Sequence, residues 1–192
     1  MPAFRNFNFH DLEADEIIGF IVNRHHGYVV SMLDLLKESC EKARIADVEI
    51  APQLAPICSL INAFSEKVLL HIEHEEEILF PYIKKLLQIK RSKYHIKFLN
   101  INLSKTTLRH FTEEHNDLMA FWHQIKQKTN DFKPFEGASP ITSLFFAELI
   151  EFEGDLLNHF YLEDNVLFPK LSELEKQVNE ITEMAIGRVP GE

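Results

Sequence analysis

An apolar residue returns every three or four positions through almost the whole of this chain, and on four stretches that stripe is interrupted by histidine. The helical period sets the secondary structure. A first segment runs from about Asp11 to Lys42, with Asp11 placed to cap it and Glu13, Asp15 and Glu16 favourable in its first turn. A second runs from about Pro52 to Ile89 and a third from about Ser104 to Thr129. The fourth begins at Ser139-Pro140, a capping residue followed by proline at the first helical position, and continues to about Glu183. Four long helices and three connections predict an all-α, up-down-up-down four-helix bundle. A single domain is expected over 1–192, with the bundle at about 11–183 and a flexible C-terminal tail at about 184–192.

The stripes can be written out. The second helix presents Ile57, Phe64, Val68, His71, Glu75, Ile78 and Tyr82, and the third Leu108, Phe111, His115, Leu118, Trp122 and Ile125. The fourth presents Phe145, Leu149, Phe152, Leu156, His159, Glu163 and Val166. On the first helix, Ile18 and Val22 lead to His25 or His26 and then Val29, Leu33 and Leu36. Each helix therefore carries a core histidine, and two add a glutamate one turn later on the same face.

The chain also repeats. HIEHEEEILFP at 71–81 is echoed by HFYLEDNVLFP at 159–169, with His, Glu and Phe-Pro at equal intervals. The core histidines are 45 (26 to 71), 44 (71 to 115) and 44 (115 to 159) residues apart. Near-equal intervals in an up-down bundle place all four in one layer with approximate two-fold symmetry. Ionised carboxylates buried without partners are costly, whereas a metal site satisfies four histidines and two glutamates together. Nitrogen and carboxylate ligands without thiolate suit iron, manganese or zinc. Two symmetry-related glutamates can each bridge two metals, with room for an oxo or hydroxo bridge.

RHHGYV at 24–29, EEHNDL at 113–118 and the two His-xxx-Glu-xx-[IV]LFP elements resemble the hemerythrin-like (HHE cation-binding) domains. The likeness is greatest to the RIC (repair-of-iron-centres), ScdA or YtfE family and covers about residues 12–172. That resemblance implies a cytoplasmic, non-haem di-iron bundle. It would protect or repair iron–sulfur centres under nitrosative or oxidative stress, by iron donation or nitric oxide handling. The alternative is a hemerythrin-type module that binds or senses oxygen or nitric oxide. Carried over by position, the ligands of two iron ions would be His26, His71, Glu75, His115, His159 and Glu163. Family members usually carry a further histidine between the first two motifs; here Asp47 or Glu49 is nearest in spacing and could serve as an additional ligand. Longer members also have a short cysteine-bearing N-terminal domain, which is not expected here because the sequence opens almost at the first bundle helix, and the basic connection at 85–97 is longer than usual.

The remaining features read as structural. His25 is expected next to the site or on the surface, and His74 among solvated Glu73, Glu76 and Glu77; His110 and His123 fall off the stripe, and His10 and His95 in loops. Proline removes a helical donor, so Pro81 and Pro169 predict a kink or a helix end. Lys84, Lys85, Lys90, Arg91, Lys93 and Lys97 form a basic patch at a helix end, with docking of an acidic client a weaker reading. A net charge of −10 argues against nucleic acid or an anionic membrane as partner. There is no membrane-length apolar run. Cys40 and Cys58 form no CxxC pair, so no disulfide framework is expected and a reduced, cytoplasmic compartment is the default.

Overall fold

The computed structural model describes residues 8–92 and 105–186. Four continuous helices dominate: α1 over 14–46, α2 over 51–92, α3 at Lys105–Lys128 and α4 over 140–186. A short 3-10 turn, Phe9–Asp11, leads in. Asp11 lies in that turn, and α1 is capped instead at Glu13, whose backbone N–H donates to Glu16 Oε2 at 2.8 Å. Ser139 caps α4 as its sequence predicts, accepting from the Thr142 amide at 3.3 Å. Lys93, His95 and Lys97 of the basic stretch, and residues 187–192 of the expected tail, lie outside the described residues. Within the described part of that stretch, Arg91 pairs with Asp15 at 3.0 Å.

The bundle has two apolar cores. One gathers Val29, Leu33 and Leu36 of α1, Ile57 to Ile72 of α2, Trp122 and Ile125 of α3, and Phe145 to Phe160 of α4. The other gathers Ile17, Ile18 and Ile21, then Leu79 to Ile89, Phe111, and Leu162 to Val178. Each helix passes between the two cores, in alternating direction, and each crosses the gap at its histidine. This confirms the up-down-up-down order and puts a polar layer between two greasy ones.

Three segments of the helices are π-helical: Ile21–His26, Glu75–Leu79 and Glu163–Leu167. The last two explain why Pro81 and Pro169 do not end their helices. The Phe80 amide reaches back five residues to the Glu75 carbonyl, and Phe168 does the same to Glu163. The wide turn makes room for the proline ring, and the helix then runs on. The extra residue also rotates everything beyond it. In α2 the stripe predicts Ile78 and Tyr82 inside, but Ile78 is 51% exposed while Leu79, Phe80 and Ile83 are buried. In α1 the same effect buries Ile21 rather than Val22 and turns both His25 and His26 inward. Helix α3 has no π segment, and its stripe is buried as read from Phe111 to Ile125.

Two expectations are corrected. Cys40 and Cys58 are bonded as a disulfide that ties α1 to α2 inside the first core. Their separation in sequence gave no sign of it, because facing positions on antiparallel helices are set by the turn between them. Asp47 does not approach the histidine layer. It sits at the end of α1, where its carboxylate accepts from the Ser139 amide and the Thr142 hydroxyl, fastening that end to the start of α4. Glu49 is exposed in the turn between α1 and α2.

Candidate metal centre

The gap between the cores brings six side chains together. His26, His71, Glu75, His115, His159 and Glu163 are each at most 2% exposed. Their ligand atoms form two groups, His26–Glu75–His159–Glu163 and His71–Glu75–His115–Glu163, each with all atoms within 4.8 Å. In the first, the Nε2 atoms of His26 and His159 are 3.1 Å apart. Glu75 Oε2 lies 3.3 Å from His26, and Glu163 Oε1 lies 3.1 Å from His159. In the second, the Nε2 atoms of His71 and His115 are also 3.1 Å apart. Glu75 Oε1 lies 3.3 Å from His71, and Glu163 Oε2 lies 3.2 Å from His115. Each carboxylate thus gives one oxygen to each group.

Such a set can hold cations. Both oxygens of Glu75 and Oε2 of Glu163 are buried with no hydrogen-bond partner among the described residues. Buried anionic oxygens left in that state are strongly unfavourable unless positive charge meets them. In the metal-free chain the imidazoles provide it. Burial disfavours a charged His115, but Asp164, Glu163 and Glu75 outweigh burial and hold its pKa up to about 11. His26 is raised against the same desolvation by Glu75 and Glu76. Burial also works against an ionised Glu163, yet His159 and His115 keep its carboxyl well below the usual carboxylate range. A metal ion would take over the role of those protons.

The model of the hemerythrin HHE cation binding domain matches residues 20–171. The chain belongs to this family. Among curated proteins, this HHE domain is similar to the iron-sulfur cluster repair proteins YtfE of Yersinia pseudotuberculosis serotype IB (strain PB1/+) and Yersinia pestis (strain Pestoides F). Both are 27% identical to it over 154 residues, which is 80% of this chain and 64% of theirs. The chain therefore spans slightly less than two thirds of the length of those relatives.

The HHE layer has an outer ring of carboxylates, Glu76, Glu114 and Asp164; sequence reasoning placed Glu76 in solvent and assigned the other two no role. Glu76 accepts from His26 Nδ1 at 2.7 Å, and its counterpart in the repeat, Asp164, accepts from His115 Nδ1 at 2.9 Å. Glu114 holds His71 Nδ1 at 3.0 Å. His74 and His110 approach the other oxygen of Glu114 at 3.4 and 3.2 Å, so His74 is not merely solvated. The signal was available: in both repeats an acid directly follows the core glutamate. Aromatic rings wall the layer. Phe80 stacks on His26, and its counterpart Phe168 stacks on His115, each at 5.7 Å. The remaining polar candidates lie elsewhere: His123 contacts Gln127, Tyr82 donates to Glu175, and Tyr161 is exposed. Among the described residues, no helix of this HHE domain is long and apolar enough to cross a membrane.

Proposed function

We propose that the layer holds two iron ions, one in each group, with Glu75 and Glu163 bridging them and His26, His71, His115 and His159 as terminal ligands. The observation that carries this is the division of each carboxylate: one oxygen toward the His26–His159 pair, the other toward the His71–His115 pair. A single ion would leave half of those oxygens buried and unmatched. When bound, such a pair of irons supplies one-electron redox chemistry and affinity for small diatomic ligands. The chain's residues do the rest. Glu76, Glu114 and Asp164 fix ring orientation, and Phe80, Phe160 and Phe168 limit access of water.

The physiological reading is protection or repair of iron–sulfur centres under nitrosative or oxidative stress, by iron donation or nitric oxide handling. It is supported by the family and by the names of the YtfE relatives. Iron–sulfur proteins would be the clients, and a cytoplasmic setting is proposed from that role alone, since the Cys40–Cys58 bond removes the argument from reduced cysteines. Oxygen or nitric oxide binding is the second reading, favoured by a shell of four imidazoles to only two carboxylates.

Metal analysis of anaerobically loaded protein tests the first step: two irons per chain are expected, and one zinc per chain or no metal overturns it. Iron transfer to a damaged cluster protein, lost in His71→Ala and Glu75→Ala variants, separates repair from ligand binding. Reversible oxygenation of the reduced protein without such transfer would favour the second reading.

A further inference from the structure

The repeat relates α1 to α3 and α2 to α4, so every residue around the layer has a counterpart. His26 corresponds to His115, His71 to His159, and Glu76 to Asp164. The residue before His115 is Glu114, and the residue before His26 is His25. This is where the symmetry fails. Glu114 accepts from His71 Nδ1, but His159 Nδ1 is buried with no hydrogen-bond partner among the described residues. His25 does not substitute for the missing acid. Its ring stacks parallel to that of His159, with 4° between the ring planes and centroids 5.7 Å apart, and its own Nδ1 pairs with Asp155 Oδ2 at 3.1 Å. A stacked ring orients its neighbour but accepts nothing from the neighbour's in-plane N–H.

We infer that the two metal positions are unequal, with the His71–His115 position the tighter and the His26–His159 position the weaker, and that residues 25 and 114 set the difference. This rests on the metal reading above. Both histidines of the first pair donate to carboxylates, through Glu114 and Asp164. Only His26 of the second pair does, through Glu76. A carboxylate behind an imidazole raises its basicity and fixes the tautomer that presents Nε2, and losing such a partner typically costs about 10- to 100-fold in metal affinity. His159 therefore binds as the least supported ligand. A surface groove lined by His71 and Glu114 opens on the tighter position, so solvent access alone would rank the two the other way.

Equilibrium competition decides between these orders, since affinity is blind to access. Anaerobic protein titrated with Fe2+ against a coloured chelator should fill in two steps separated by about 10- to 100-fold. Glu114→Gln should lower the first constant until the steps merge. His25→Glu combined with Asp155→Asn, which supplies an acid without placing it beside another, should raise the second constant and leave the first unchanged. Circular dichroism checks that each variant is folded, and the Glu114→Gln arm stands alone if the double variant does not fold. Two ions binding with equal constants, or a Glu114→Gln variant with unaltered constants, overturns the inference. Failure to bind two ions at all overturns the di-iron reading instead, so the two outcomes are distinct.

Discussion

Glu76 Oε1 meets His26 Nδ1 at 2.7 Å across the α1–α2 interface, and Glu76 is the chain neighbour of Glu75, whose carboxylate faces the other nitrogen of the same ring. Two consecutive residues of α2 thus grip one imidazole from both ends. Consecutive side chains on an ordinary helix diverge by about 100°. The π segment that begins at Glu75 is where this arrangement occurs. Glu76→Gln should weaken metal binding at the His26 position by about 10-fold or more. Glu77→Gln, one residue on and exposed, should leave it unchanged. Competition titration reads both.

The π segment itself can be tested by deletion. Ile78 is half exposed, so Ile78→Ser should change the melting temperature little. Deleting Ile78 should cost about 3 kcal/mol, the usual cost of a proline inside an ordinary α-helix. It restores ordinary α register and leaves Leu79, Phe80 and Ile83 facing the second core, but it removes the wide turn that accommodates the Pro81 ring. Pro81→Ala in the deletion background should recover most of that loss. A lowered melting temperature for the deletion, restored by Pro81→Ala and set beside a native-like Ile78→Ser variant, is the expected pattern of results.

Proton release accompanies metal loading. His115 has its pKa raised to about 11 in the metal-free chain, so it is protonated at neutral pH and must lose that proton to bind through Nε2. Calorimetry in buffers of different ionisation enthalpy should detect released protons, and affinity should rise with pH across the neutral range. The same shift has a sign for the metal-free fold. A group raised from 6.5 contributes stability that is fully present below that value and is lost as pH climbs through about 11. Metal-free protein should therefore lose stability over that window, and loaded protein should not lose this contribution.

The Cys40–Cys58 bond closes a sequence separation of 18 residues between α1 and α2. Removing a cross-link around a loop of this size costs about 3 kcal/mol on chain-entropy grounds. A Cys40→Ala and Cys58→Ala double variant should unfold at lower denaturant, and thiol titration of denatured, unreduced protein should find no free cysteine. Metal stoichiometry should be unaffected, because both sulfurs lie in the core on one side of the histidine layer.

The periodic stripe, the repeat and the equal spacing of the histidines determined the bundle, its direction of travel and the six side chains that meet in its middle. Those are consequences of local period and of symmetry, which a linear string carries in full. Register beyond a π turn was not legible, because one additional residue per turn leaves no mark on composition; Ile78 and Leu79 are both apolar, and only packing chose Leu79. Whether His25 or His26 faced the layer had the same origin, and the answer was that both are buried. The carboxylates behind the rings, the Cys40–Cys58 bond and the capping role of Asp47 all join residues from different helices. Their partners are fixed by how the helices are rotated about their axes, and that rotation is settled by the packed core.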